Sequence, residues 1–375
     1  MFYNRIYLLK SINLLLFFLF LKLSPNNIID IIDYKSKNLN RVNNIYNTTF
    51  TNNINEIDKQ NGDNKTNLIN KETFELGINK TLEYKKINIS ISYSTDNKYI
   101  YPIIVSMISL VIHASNETFY NIYILHTPDF SENSKHFLKT IEYKYPESCS
   151  IFYLNMGNQY KNLKLSYKLS TPAYYRLSLP DILPQINRII YLDGDTLVFE
   201  DLKELIKFDM KGNVIMGFLD RRPYALQSFG FKHATVLCSG VLLMDLDCLR
   251  KYGYSKRITN FIDKNKKRLV QHDQTIINVV MQGRISPLPP KYGIWGWKNN
   301  VTAKNHLKRQ WPELRYNETE YFNALAHPAI IHYAGKKPFW RINTAFAKEW
   351  WNFARLTGYY DEIYSKSPIP KKKFK

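Results

Sequence analysis

The run Tyr191-Leu192-Asp193-Gly194-Asp195-Thr196-Leu197-Val198 sets two carboxylates on either side of a glycine, between two apolar stretches. The residues before it, Arg188 to Leu192, are apolar without alternation, as in a strand covered on both faces. Ligands of open parallel sheets bind beyond the carboxyl ends of strands. Two carboxylates at such an end can grip a hard divalent cation, which can in turn grip phosphate oxygens. Asp-Gly between apolar runs is equally a strong hairpin signal, and the segment by itself supports either reading. No G-x-G-x-x-G follows the first predicted strand, which argues against the phosphate grip of a dinucleotide-binding fold.

The elements that must position these carboxylates can be read on both sides of them. Residues 87–93 read as a strand, 100–112 as a mostly buried helix, and 120–126 as a second strand. Residues 132–145 form an amphipathic helical pattern and 149–155 a third strand. Strand, helix, strand, helix, strand implies crossover connections and a mostly parallel sheet. Further apolar runs at 214–219 and 240–246 precede helical stretches at 247–264 and 274–281, and no internal repeat is visible. The expected fold class is α/β with a mostly parallel, mixed central sheet.

Several segments, in order, resemble glycosyltransferase family 8, the family of glycogenin and of lipopolysaccharide glucosyl- and galactosyltransferases. They are Ser94-Thr95-Asp96-Asn97-Lys98-Tyr99, Thr171-Pro172-Ala173-Tyr174-Tyr175-Arg176-Leu177, the Tyr191 to Val198 run with Asp201-Leu202, Ser239-Gly240-Val241-Leu242-Leu243-Met244, Gln271-His272-Asp273-Gln274, and His332-Tyr333-Ala334-Gly335-Lys336-Lys337-Pro338. The resemblance runs over residues 87–351. It implies a GT-A type nucleotide-diphospho-sugar transferase fold and retaining transfer of a hexosyl (glucosyl or galactosyl) or pentosyl group. The implied donor is a UDP-sugar, and the implied acceptor a glycan, glycoprotein or glycolipid. It implies Mn2+, or another divalent cation, held by Asp193, Asp195 and His332; carboxylate oxygens with one imidazole suit that ion. It implies that Thr95, Asp96 and Tyr99 hold the uridine and ribose. Arg176 and Asp273 would orient the donor sugar and its phosphate, with Gly194 and Ser239 also at the donor. Gln274 would lie near the anomeric carbon and stabilise an oxocarbenium-like transition state. Lys337 would neutralise the departing UDP, with Gly335 letting the backbone approach.

Each assignment has a plainer counterpart: a core histidine for His332, a structural ion pair for Arg176 and Asp273, a helix surface for Gln274, a strand-end turn for Thr95 and Asp96, and an exposed lysine for Lys337. The chain also departs from the family pattern. Cys238 stands where the family has Asn before Ser-Gly, and only Lys336 separates Gly335 from Lys337. These departures motivate a second reading, a catalytically silent sugar-nucleotide or glycan-binding protein on the same fold.

The chain has 375 residues and a formal net charge of +20. Lys and Arg are scattered, no basic stripe is interleaved with aromatics, and nucleic acid is not an expected partner. The spacing of Cys149, Cys238 and Cys248 matches neither a zinc site nor a disulfide framework, so buried free thiols are expected, with one disulfide of unassigned pairing as the alternative in a lumenal protein. Residues 6–23 are mostly Leu, Ile and Phe and favour an uncleaved signal anchor. The expected organisation is an anchor at 1–25, a flexible Asn/Lys-rich stem at 26–86, a catalytic domain at 87–358 and a basic tail at 359–375. The corresponding location is a single-pass type II membrane protein of the Golgi or another secretory lumen.

Overall fold

The computed structural model describes residues 86–163, 170–220, 222–266, 268–269, 271–296, 300–335, 337–341 and 343–368. All of them lie in one unit, Tyr84–Lys375. The expected anchor and all of the expected stem but Lys86 therefore fall outside the described residues, as does the run Lys371 to Lys375. The expectation of a single-pass membrane protein is corrected at this point. Among the described residues no helix is long and apolar enough to cross a membrane.

The strands are β1 (Ile87–Thr95), β2 (Thr118–His126), β3 (Cys149–Asn155), β4 (Arg188–Leu192), β5 (Thr196–Val198), β6 (Ile215–Leu219), β7 (Leu237–Asp245), β8 (Ile285–Pro287), β9 (Tyr292–Trp295) and β10 (Ile330–His332). Seven form the central sheet in the order β3-β2-β1-β4-β7-β6-β8, and three form a small sheet, β5-β10-β9. In the central sheet β1 runs parallel to β2 and β4, and β2 to β3. β7 alone runs against its neighbours β4 and β6, while β8 is parallel to β6. The sheet is mostly parallel and mixed, as the order of elements implied.

Strand direction decides where the chemistry sits. β1, β4 and β6 all end on one rim, and the reversed β7 begins there. Thr95, Asp193, Asp220 and the Cys238-Ser239-Gly240 segment are thereby gathered on that rim.

The helix α1 (Ile100–Val111) is buried at every residue except Tyr101. Its proline, Pro102, lies in the first turn, where a missing N–H removes no helical hydrogen bond. The amphipathic α2 (Glu132–Lys144) starts at Ser131, whose hydroxyl accepts from the Ser134 N–H at 3.1 Å. Glu132 in the first turn and Lys144 in the last suit the helix dipole. The stretch expected as one helix over 247–264 is two, Leu246–Lys251 and Tyr254–Asn265. They are divided at Gly253, which takes the left-handed φ of 69°.

The segment read as the start of a basic tail is folded. Tyr360–Lys366 is a helix, and its Ile363 is fully buried. Two of the three thiols, Cys149 and Cys238, are buried as expected, whereas Cys248 is exposed; all three are free.

Candidate active site

The Asp193–Asp195 turn is not a hairpin. A turn does close, with the Thr196 N–H donating to the Asp193 carbonyl at 3.2 Å, but β4 and β5 never pair. β4 stays in the central sheet, and β5 leaves it to pair antiparallel with β10. That pairing sets His332 opposite Thr196, and the Tyr333 N–H donates to the Asp195 carbonyl at 3.0 Å. A histidine far along the chain is thus delivered beside the two carboxylates by strand register.

His332 Nε2 lies 3.4 Å from Asp193 Oδ2 and 3.4 Å from Asp195 Oδ1. One ligand atom from each of the three residues falls within 4.8 Å of the others. Oxygen and nitrogen ligands at roughly 2–2.6 Å from a shared cation stand about 3–4 Å apart, so the donor set and its spacing fit a hard divalent ion. Two glycines permit the close packing of side chains around this site. A Cβ at Gly240 would run into the His332 ring, and one at Gly194 into the side chain of Ile103 on α1.

The three groups share charge. Burial works against ionisation of Asp195, but Lys337 and His332 hold its carboxyl far below the usual carboxylate range. Asp193 is also lowered: burial opposes, and Arg176 and His332 prevail. His332 is raised well above its ordinary value; burial opposes this, and the Cys238 sulfur with the Asp195 and Asp193 carboxylates outweighs it. A metal entering this site must displace the imidazole proton. On the far side of the ring, Cys238 Sγ lies 3.5 Å from His332 Nδ1.

Above the carboxylates opens a cavity of about 450 Å³. Its walls include Thr95, Asp96, Tyr99, Arg176, Asp193, Gly194, Asp195, Ser239, Asp273, Gln274, His332 and Lys337, which gathers nearly every residue singled out in the sequence. Gly335 is not among the lining residues, its φ is not left-handed, and a Cβ there would meet nothing within 4 Å. Lys336 lies outside the described residues.

Arg176 is 3% exposed and lies at the centre of a network. Its Nη2 donates to Asp193 Oδ1 at 2.8 Å, its Nε faces Asp273 Oδ2 at 3.2 Å, and its Nη1 donates to the Ser239 carbonyl. Its guanidinium also covers the Tyr191 ring at 4.1 Å. The ion pair that the residue types allowed is therefore present, inside the cavity wall. Burial raises the Asp273 pKa even with Arg176 beside it. His272, just before Asp273, has φ 55°, an uncommon value for a residue other than glycine. The Tyr174 hydroxyl stands 3.1 Å from His272 Nδ1.

The strand-end turn after β1 is present too. Asp96 Oδ1 accepts from the N–H groups of Lys98 and Tyr99 at 3.0 and 3.1 Å, and the Thr95 hydroxyl donates to the Asp96 carbonyl at 2.9 Å. Tyr99 stacks on Trp340 with ring centroids 5.5 Å apart. Lys337 Nζ sits 2.7 Å from Asp195 Oδ2.

The register of β7 against β6 slips between Gly217 and Phe218, so that Gly217 faces Leu242 and Phe218 faces Cys238. This irregularity frees the backbone of Ser239 and Gly240 for other partners. The Ser239 N–H donates to Gln274 Oε1 at 3.2 Å, and the Gly240 carbonyl accepts from the Asp193 N–H at 2.8 Å. Irregular pairing beside a site is a common way to re-aim backbone groups.

Sequence reasoning missed Asp220, Arg222 and Gln271. The signal was available in one case: Asp220 follows the apolar run 215–219 as Asp193 follows 188–192, a carboxylate at a strand's carboxyl end.

Comparison with known proteins agrees with this geometry. Over 197 residues the chain is 28% identical to general stress protein A of Bacillus subtilis, an alignment covering 50% of this chain and 65% of that protein, just under two thirds of its length. It is 23% identical over 279 residues to a probable galacturonosyltransferase-like 4 of Arabidopsis thaliana, covering 68% of this chain and 74% of that one. A crystal structure of the galactosyltransferase LgtC, solved with donor and acceptor sugar analogues, superposes with a TM-score of 0.59 at 21% identity. It covers 76% of this chain and 98% of LgtC, and shows a shared fold. The model of the family "Glycosyl transferase family 8" matches residues 90–344, and on that match the chain is a member of glycosyltransferase family 8.

Proposed function

We propose that this glycosyltransferase transfers a hexosyl or pentosyl group from a UDP-sugar to a glycan or glycoconjugate acceptor, with retention of configuration and dependence on a divalent cation, Mn2+ first. The observation that carries the reading is the meeting of Asp193, Asp195 and His332 on the wall of one cavity that also holds Lys337 and Gln274. When bound, the cation supplies positive charge to the diphosphate. Thr95, Asp96 and Tyr99 hold the nucleoside end, and Arg176 with Asp273 orients the sugar and its phosphate. Lys337 adds charge on the leaving group, where negative charge grows as the glycosidic bond breaks. Gln274 offers its amide oxygen to the developing positive charge at the anomeric carbon. Both ends of that amide are engaged by neighbours, which supports a fixed dipole over a nucleophile.

The test is a panel of UDP-galactose, UDP-glucose, UDP-xylose and UDP-galacturonic acid, each with and without Mn2+, followed by UDP release and by the anomeric form of the product. Metal-dependent release with a retained anomer is the expected result. Tight metal-dependent UDP binding with no release from any donor and any acceptor glycan would favour the silent binding protein that Cys238 brings to mind.

A further inference from the structure

Gln274 is an amide, and an amide can present either its oxygen or its nitrogen to a ligand. The difference is chemical: the oxygen stabilises a neighbouring positive centre and the N–H group destabilises it. Something must set the choice, and a side chain's own torsion does not, because the two orientations have nearly the same shape. The surroundings of Gln274 supply acceptors on one side and a donor on the other. Its Nε2 donates to Asp220 Oδ2 at 2.9 Å. The Gln271 carbonyl oxygen, in the orientation that satisfies its neighbours, accepts from the same Nε2 at 2.8 Å. Its Oε1 accepts from the Ser239 N–H at 3.2 Å. Both N–H bonds are thereby consumed, and the polar capacity left over is a lone pair on Oε1.

Asp220 is itself held rigidly. Its side chain is 0% exposed. The Arg222 N–H donates to Oδ1 at 2.8 Å, and the guanidinium straddles the carboxylate, Nε to Oδ1 at 3.0 Å and Nη2 to Oδ2 at 3.1 Å. The same guanidinium reaches the Gln271 oxygen at 2.6 Å through Nη2. The backbone of Asp220 is fixed to the sheet rim, its N–H donating to the Val236 carbonyl at 2.8 Å. A carboxylate can only accept, so this one admits a single orientation of the amide it faces.

We propose that Asp220 is a positioning residue: paired with Arg222, it fixes the Gln274 amide so that its oxygen, not its nitrogen, faces the reacting sugar. This rests on the reading that Gln274 lies against the anomeric carbon.

The experiment is a double-mutant cycle on the 375-residue chain. Asp220→Asn keeps the shape but can donate as well as accept, so the amide is released to turn. The expected result is a fall in kcat of about tenfold or more, with donor KM and the affinity for UDP plus Mn2+ unchanged. In a Gln274→Met background the same Asp220→Asn change should cost nothing further. An equal loss in both backgrounds, or no loss in either, overturns the proposal. Should Asp220→Asn fail to fold, Gln271→Met removes the second acceptor at a more accessible position. It should give a smaller loss of the same kind, again absent beside Gln274→Met.

A readout without substrate separates this from the functional reading. In glutamine-labelled protein, the Gln274 side-chain resonances are identified by their loss in Gln274→Met. They should show two hydrogen-bonded protons in the native protein and move in Asp220→Asn. Unmoved resonances overturn the positioning role. Anchored resonances in a protein that turns over no donor support the anchoring and strike the transferase reading alone.

Discussion

Lys337 Nζ stands 2.7 Å from Asp195 Oδ2, while His332 Nε2 faces the other oxygen of that carboxylate, Oδ1, at 3.4 Å. A cation bound beside His332 would therefore share the charge of Asp195 with the lysine, and the two positive charges would repel until a diphosphate arrived to accept both. Lys337→Ala is expected to lower turnover by roughly 10²–10³-fold, the usual effect of losing one donor to developing charge. UDP affinity should fall much less, and Mn2+ affinity without nucleotide should rise. Calorimetric titration of metal, then of UDP, reads the three effects apart; equal losses of turnover and UDP affinity would make Lys337 a simple binding group. Gly240→Ala belongs to the same scale. Its Cβ would displace the His332 ring, so Mn2+ affinity should drop by about 10–100-fold, the usual effect of disturbing a group that orients a ligand. Equal Mn2+ affinities in the two proteins would show that the ring can shift without loss. At this scale the legible residues were those whose type and place coincide: Asp193 and Asp195 at a strand end. His332 came through the family resemblance, because a lone histidine after an apolar strand has no signature of its own. Arg222 stayed silent because a polar residue in a loop acquires meaning only when the direction of β6 and β7 is known, whereas Asp220 carried a strand-end signal that was not used and Gln271 stood in a quoted segment without a role.

At the scale of elements, a second carboxylate shows how the strands are tied together away from the cavity. Asp201, just past β5, accepts at Oδ2 from the Ser115 N–H (2.8 Å) and the Thr118 hydroxyl (2.7 Å), and at Oδ1 from the Lys203 N–H (2.9 Å). The Tyr120 hydroxyl adds a fourth contact at 3.3 Å. Asp201 thus joins the start of β2 to the exit of β5. Burial pushes its pKa up, but the Ser115 and Thr118 hydrogen bonds outweigh burial and lower it. The folded pKa then lies below the unfolded one, near 3.9. The stabilisation is present above about pH 4 and disappears as pH falls through the folded value. Asp201→Asn should cost about 1–2 kcal/mol at pH 7, from the weakened hydrogen bonds of a partly exposed group. The mutant's stability should also decline less steeply than the native protein's below about pH 4. Urea unfolding at pH 7 and at pH 3 tests both parts; parallel losses at the two values would remove Asp201 from the acid limb. The strands and helices from 87 to 155 were legible by periodicity, since each alternates or fills a face. The Asp-Gly turn was not, because a hairpin and a strand that changes sheets share the same local sequence. Only the pairing of β5 with β10 separates them.

At the scale of the whole molecule, composition misplaced one boundary. Residues after 358 carry the charge and proline of a tail, yet Ile363 is fully buried and the Tyr101 hydroxyl donates to Glu362 Oε1 at 3.1 Å. A helix of seven residues with one deeply buried side chain gives too little periodicity to be recognised. Its position also bears on the cavity. The Ser367 hydroxyl donates to the carbonyl of Phe339 at 2.5 Å, two residues from Lys337, and Phe339 stacks on Tyr101 of α1 at 5.8 Å. The C-terminal helix is therefore a brace for the segment that carries Lys337 and Trp340. Two shortened chains test this. A chain from Tyr84 to Lys375 keeps the whole described unit and should unfold cooperatively, with UDP affinity equal to that of the full protein. A chain that begins at the same residue and stops at Gly358 loses the burial of Ile363, worth about 1.5–3 kcal/mol. It also uncovers Trp351, which packs edge-on against Tyr360 and Tyr364. At roughly 2–4 °C per kcal/mol for a domain of this size, its melting temperature should fall by about 5–10 °C. Its UDP affinity should fall as well, because the Lys337 segment has lost its anchor at Phe339. Scanning calorimetry and nucleotide titration on the two chains give the answer. A lowered melting temperature with UDP affinity intact would leave the helix a stabilising element and nothing more, whereas loss of both would tie the donor cavity to the last turn of the fold.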